Sequence, residues 1–196
     1  MENYVITISR QFGSLGRPIA KKMSELLGIG YYDRYILGKA AAQLETSSEE
    51  IKGIEETAPK LSNMRFPFRA GHKEMQDSIF EAEKKIILDL AERESCIIVG
   101  RCSDYILRNF KNHISIYIYA PYYDRLRNCV DTLNMNPDEA KRIIDETDAA
   151  REAFNQHYAK CSAVEISMKD VLIDSSTLGL EGTAELLVDM VKRRFG

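Results

Sequence analysis

The sequence predicts an α/β domain in three layers, a parallel β-sheet covered by helices on both faces. Three observations carry that prediction. Short apolar and β-branched runs alternate along the chain with longer stretches of helical pattern. The runs, such as Cys96-Ile-Ile-Val99 and Ile114-Ser-Ile-Tyr-Ile-Tyr119, are nearly continuous instead of alternating, as in strands buried on both faces. A length of 196 residues with 44% hydrophobic content fits one domain that buries a real core.

Strands are expected over 4–9, 30–32, 96–99, 114–119 and 170–174. Helices are expected over 17–27, 33–45, 74–93, 102–109, 122–133, 137–159 and 180–194. Pro18 suits a first helical turn, where its missing N–H costs nothing. Asn136-Pro-Asp-Glu139 offers an N-cap, a proline at the next position and early acids against the helix dipole. Ser47-Ser-Glu-Glu50 is a further possible helix start. Residues 57–72 carry two prolines, a glycine and three basic residues, and read as a long irregular loop of the functional or disordered kind. Tyr117 and Tyr119 fit a strand facing the core.

The formal net charge of −3 argues against a general nucleic-acid binder, whose affinity comes from neutralising phosphates. Cys96, Cys102, Cys129 and Cys161 form no C-x-x-C pair and lack metal-site spacing, so reduced thiols are expected and no metal site. The first residues run into a strand with neither the basic nor the apolar region of a leader, and no stretch has the length of a membrane span. A soluble cytoplasmic protein acting on small molecules, without membrane or nucleic-acid partners, is expected.

Chemistry concentrates after the first strand. Arg10-Gln-Phe-Gly-Ser-Leu-Gly16 leads into Arg17-Pro-Ile-Ala, giving a strand, a glycine-containing turn and a helix. A Walker-type loop has this layout: its backbone N–H groups ring phosphates, a lysine bridges the terminal ones and a Ser/Thr hydroxyl ligates magnesium. Gly13 and Gly16 keep the glycines. Gln11 stands at the first glycine position, Arg17 at the lysine and Pro18 at the hydroxyl, with Ser9 or Ser14 as replacement hydroxyls. Taken alone the segment is either a phosphate cradle or a tight strand-to-helix turn.

Two polar clusters follow strand ends, where parallel sheets bind ligands. Asp33 either accepts from a base amine or ribose, or caps the next helix. Arg101, directly after a buried strand, either grips a phosphate as a fork or makes a surface ion pair, and its place after that strand favours the first. A third cluster, Arg125, Arg127, Arg142 and Arg151, lies on two helices joined by Leu133-Asn-Met-Asn136. Arg142 reads as a solvated charge, among acids that include Asp145, Glu146 and Asp148. For Arg125, Arg127 and Arg151 the choice stays open between solvated charge and stabilisation of a transferred phosphoryl group. His72, His113 and His157 are scattered and form no triad.

In their order and spacing these segments resemble the cytidylate kinase-like family, a divergent branch of the nucleoside monophosphate kinases. The matching pieces are Ile6–Gly16, Tyr31-Tyr-Asp33, Cys96–Cys102, Tyr117-Ile-Tyr-Ala-Pro121, Arg125, Asp145–Arg151 and Asp174–Gly179. The resemblance implies a P-loop kinase fold with a helical lid, and transfer of a phosphoryl group from ATP to CMP or dCMP with magnesium. It implies that Gly13, Ser14, Leu15, Gly16 and Arg17 hold the ATP phosphates and that Asp33, Arg101 and Asp104 face the acceptor. It implies that Arg17, Arg125 and Arg151 act on the transferred group. Residues 1–196 then form one domain, with 46–72 as the acceptor-binding insertion and 122–159 containing the lid. Two departures stand out: Gly16-Arg17-Pro18-Ile19 replaces Gly-Lys-Gly-Thr, and Gly100-Arg101-Cys102 replaces Gly-Arg-Asp, leaving Asp104 as the nearest acid one helical turn along. A non-catalytic nucleotide sensor and a kinase of another small metabolite are the competing expectations.

Overall fold

The computed structural model describes residues 2–33, 36 and 73–196. The expected acceptor insertion 46–72, the helix start at Ser47 and the loop 57–72 lie outside the described residues, as does nearly all of the helix expected over 33–45. In chain order the described elements are β1 (Val5–Arg10), α1 (Gly16–Leu27), β2 (Gly30–Tyr32), α2 (Lys73–Arg93), β3 (Cys96–Val99) and α3 (Ser103–Ile106). They continue with β4 (His113–Tyr119), α4 (Tyr122–Asp131), α5 (Pro137–Tyr158), a 3-10 turn (Ile166–Met168), β5 (Val171–Asp174) and α6 (Gly179–Phe195).

The strands form one sheet in the order β2-β3-β1-β4-β5, and every neighbouring pair is parallel. Side chains of β1 alternate between two cores. Ile6 and Ile8 face one layer with Ile97, Val99, Ile114, Ile116 and Ile118, closed by Ile19 and Met23 of α1 and Leu187 and Val191 of α6. Val5 faces the other with Cys96 and Ile98, closed by Ile86, Ile87 and Leu90 of α2 and by Ile36. The helices supply these faces because their apolar residues recur every three or four positions. Each fully buried isoleucine contributes about 1.5–3 kcal/mol by leaving water.

The expected strands agree with those observed to within one residue. Asn136 caps α5 as its sequence predicts, accepting from the Asp138 N–H at 2.9 Å. Two expectations are corrected. The helix over 102–109 shrinks to Ser103–Ile106: Cys102, left-handed at φ 50°, delays its start, and at Leu107, with φ of −96° and ψ of 10°, the backbone leaves helical geometry. Tyr117 is buried, but Tyr119 at the strand's end is exposed, beyond the reach of the covering helices.

Winding starts at β1 and reaches β2 on one side by skipping the place that β3 later takes; β4 and β5 add on the other side. Such a reversal opens a crevice outside the carboxyl ends of the central strands. The loops that follow β1 and β3 meet there.

Candidate active site

The loop after β1 is held from several sides. Gln11 donates its N–H to the Ile118 carbonyl at 3.0 Å, and its side-chain oxygen accepts from the Ala120 N–H at 3.2 Å. Asn128 Nδ2 donates to the Gly13 carbonyl at 2.9 Å, and Ser175 Oγ to the Ser14 carbonyl at 2.7 Å. Gly13 adopts φ of 77°, and a Cβ there would meet the Arg125 carbonyl at 2.7 Å, so the position admits only glycine. Leu15, also left-handed at φ 60°, leads into α1. The carbonyls of the loop are therefore engaged, while the N–H groups of Gly13, Ser14 and Leu15 donate no hydrogen bond among the described residues. The N–H groups of Gly16 and Arg17 at the start of α1 likewise donate no hydrogen bond among the described residues, and such a run of N–H groups at a helix start is suited to an anion.

The Ser14 hydroxyl is not a ligand in waiting. It is fully buried, 3.0 Å from the Gln11 carbonyl and 3.1 Å from that of Ile118, where it pins the loop to β4. Pro18 supplies no hydroxyl, and among the described residues no group of three His, Cys, Asp or Glu is arranged to hold a metal ion. The Ser14 hydroxyl is thus committed to the loop's own structure, and position 18 carries no hydroxyl.

Asp148 of α5 is the pin that sequence reasoning missed. Its carboxylate accepts from the Phe12 N–H at 2.7 Å and from Arg125 Nη1 at 2.6 Å, and lies 3.6 Å from Arg151 Nη1. Arg125 also donates to the Phe12 carbonyl at 3.1 Å. Phe12 itself packs into the small core of the α4–α5 hairpin with Cys129, Ala140 and Ile144. The hairpin expected as a lid therefore clasps the loop directly. A signal was present: Asp148 and Arg151 stand three apart on one helix face.

The expected site residues fall into two groups. Arg17, Asp33, Arg101 and Arg151 come together at the crevice, joined by Arg10, which the sequence did not single out. Arg17 Nε lies 2.7 Å from Asp33 Oδ2, and Arg151 Nη1 donates to the Arg10 carbonyl at 2.9 Å. Burial and mutual repulsion push the Arg10 guanidinium down to about 10 and Arg101 to about 9, and hold Arg151 well below its usual range. The downward shifts follow from partial burial and from like charges crowded together.

The other group stands behind this front. Arg125 is buried in its contact with Asp148. Asp104 is buried and ion-paired with Lys169, whose side chain is 1% exposed. Arg101 Nε lies 3.4 Å from Glu83 Oε1, but that oxygen has no aligned hydrogen-bond partner among the described residues, and burial pushes the Glu83 carboxyl up to about 8. Arg127 and Arg142 make short ion pairs along their own helices, to Asp124 at 2.5 Å and to Glu146 at 2.8 Å. A cleft of about 290 Å³ opens beside the cluster, lined by Arg10, Tyr117, Asp148, Arg151 and Glu152.

The sequence model of the cytidylate kinase-like family matches residues 5–177. The chain belongs to this family. A cytidylate kinase of Sulfolobus acidocaldarius is 27% identical over 120 residues, which cover 59% of this chain and 65% of that relative, less than two thirds of its length. An uncharacterized protein from Eubacterium ventriosum has a similar structure, with a TM-score of 0.73, 21% identity and coverage of 98% of this chain and all of that one. Shikimate kinase from Acinetobacter baumannii, solved with shikimate, aligns with a TM-score of 0.53 at 12% identity over 98% of this chain and 95% of its own. At these identities the structural likenesses speak to the fold alone, and that fold is the P-loop kinase arrangement of a five-stranded parallel sheet. In this member of the cytidylate kinase-like family, the strand–loop–helix unit thus keeps its shape while the lysine and hydroxyl are replaced. Among the described residues no helix is long and apolar enough to cross a membrane.

Proposed function

We propose that the protein is an ATP-dependent kinase of a nucleoside monophosphate, with CMP or dCMP as acceptor. One observation carries the reading: the backbone N–H groups of residues 13–15 donate no hydrogen bond among the described residues, in a loop beside which Arg17, Arg101 and Arg151 gather, in a chain of the cytidylate kinase-like family. Phosphoryl transfer asks the protein mainly for positioning and for positive charge around the transferred group. In this account Gly13 to Arg17 cradle the ATP phosphates. Arg101 grips the acceptor phosphate, and Asp33, held by Arg17, stands between donor and acceptor sides. Arg151 reaches the transferred group from α5, and Arg125 keeps α4 and α5 closed on the loop through Asp148. Asp104, paired with Lys169, steadies the segment that carries Arg101. Magnesium enters with the nucleotide. The reaction takes place in the cytoplasm on small soluble substrates.

The test is a coupled ADP-release assay with CMP, dCMP, UMP and other small acceptors. Turnover with CMP or dCMP, lost in an Arg17→Ala/Arg101→Ala variant, is the expected result. Turnover no higher than that of the double variant with every acceptor would refute it. A second reading, a nucleotide sensor without turnover, is favoured by the engagement of Arg17 with Asp33 and of the Ser14 hydroxyl within the loop. It predicts calorimetric nucleotide binding, independent of magnesium, with no ADP release. A kinase of another small metabolite would instead show turnover with a non-nucleotide acceptor.

A further inference from the structure

Arg10 is the last residue of β1, and its side chain has a defined path. The stem crosses the first residue of α1: a Cβ at Gly16 would come within 2.7 Å of Arg10 Cβ and 2.9 Å of its Cγ. The guanidinium then rests against Gly100, directly after β3, with Nη1 beside the place a Cβ would take; the φ of 80° at Gly100 favours glycine there in its own right. Gly16 therefore makes room for the stem of Arg10, which runs from the phosphate loop to the segment carrying Arg101.

Nothing in the described protein explains that accommodation as a structural bond. Arg10 Nε is buried and has no hydrogen-bond partner among the described residues. Asp33 and Asp148 are near enough to favour its charge, but each already holds another guanidinium: Arg17 on Asp33, Arg125 and Arg151 on Asp148. Its other charged neighbours among the described residues include Arg17, Arg101 and Arg151. A half-buried guanidinium with a buried, unpartnered Nε, flanked by cations and by acids already engaged, is costly unless an anion arrives.

We infer that Arg10 replaces the missing Walker lysine: it grips the terminal phosphoryl group of the donor, reaching it from β1 instead of from α1. Its position between the loop and Gly100 places it on the side of the donor that faces the acceptor. Arg17, at the lysine's place in the sequence, is left to hold Asp33. This inference rests on the proposed nucleotide-phosphate site.

The test compares the full chain with Arg10→Gln, Arg10→Lys and, as a charge control on the exposed face of α6, Arg193→Gln. Calorimetry measures ATP and ADP, and thermal shift measures inorganic tripolyphosphate. Arg10→Gln is expected to weaken ATP about tenfold or more while weakening ADP less than about threefold, since charge-assisted contacts to the terminal phosphate are lost selectively. Without ligand it is expected to melt no lower than Arg193→Gln, because a repulsion is relieved; a structural arginine would melt lower. If Arg10→Gln does not fold, the ATP-to-ADP affinity ratio of Arg10→Lys, expected to fall, decides. Unchanged ATP binding, or equal loss of ATP and ADP, overturns the inference and leaves the proposed function standing. If the wild type binds no nucleotide but tripolyphosphate stabilises it and not Arg10→Gln, Arg10 keeps its role and the proposed function falls. Stabilisation by neither overturns both.

Discussion

Asp148→Ala is the perturbation that most strongly separates a clasped loop from an incidental contact. It removes the acceptor of the Phe12 N–H, a charge-assisted bond of 2.7 Å, of the class worth about 1.5–3 kcal/mol. It also strips Arg125, whose side chain is 9% exposed, of its carboxylate. Breaking a fully buried pair costs about 3–5 kcal/mol. Asp148 is 27% exposed, so water recovers part of that, and Arg125 keeps its bond to the Phe12 carbonyl. A combined loss of about 3–4 kcal/mol follows, equivalent to a fall in Tm of about 10 °C for a domain of this size. Differential scanning calorimetry measures it directly. Asp148→Asn keeps an acceptor for Phe12 and should lose about half as much. Adding Arg125→Met to Asp148→Ala removes the stranded charge, so the double variant should be more stable than the sum of the single losses. A Tm for Asp148→Ala within about 2 °C of wild type would refute the claim that this carboxylate ties the α4–α5 hairpin to the loop.

Three further outcomes are expected. Lys169→Met leaves Asp104 buried and unpaired and should cost about 3 kcal/mol in urea unfolding, largely recovered by Asp104→Leu/Lys169→Met. Ser175→Ala deletes the bond to the Ser14 carbonyl at a buried site and should cost about 1–2 kcal/mol, again read by urea unfolding. Burial holds the His113 imidazole, bonded to Thr7 Oγ1 at 2.7 Å, below its usual 6.5. Above that pH both folded and unfolded forms are neutral and the group contributes nothing to the pH slope. As pH falls below it, the unfolded chain takes up a proton that the fold resists, and stability drops. Tm should therefore decline more steeply from pH 7 to pH 5 in wild type than in His113→Gln.

The sheet was legible because its strands are buried on both faces, and continuous runs such as Cys96–Val99 announce that condition without help from distant residues. The cap at Asn136 was legible for the same local reason. The three left-handed residues at Gly100–Cys102 were not, because only glycine signals positive φ in a sequence, and here Arg101 and Cys102 adopt it too. At the site, Arg17, Asp33, Arg101 and Arg151 could be placed from strand ends and from the family's order of motifs. Arg10 escaped because its side chain crosses Gly16 and ends beside Gly100, positions 84 residues apart that meet only in the fold. Asp148 escaped because an acid in a charged helix looks like a solvated one until the loop it binds is in view. Asp104 and Lys169 show the converse: a charge pair 65 residues apart closes on itself within the fold.

A crystal structure of the full chain with a non-hydrolysable ATP analogue tests the central claim most directly. The account predicts phosphate oxygens on the N–H groups of residues 13–17, with the terminal phosphate within hydrogen-bond reach of Arg10. A nucleotide bound elsewhere, with the loop N–H groups turned to water, would contradict it.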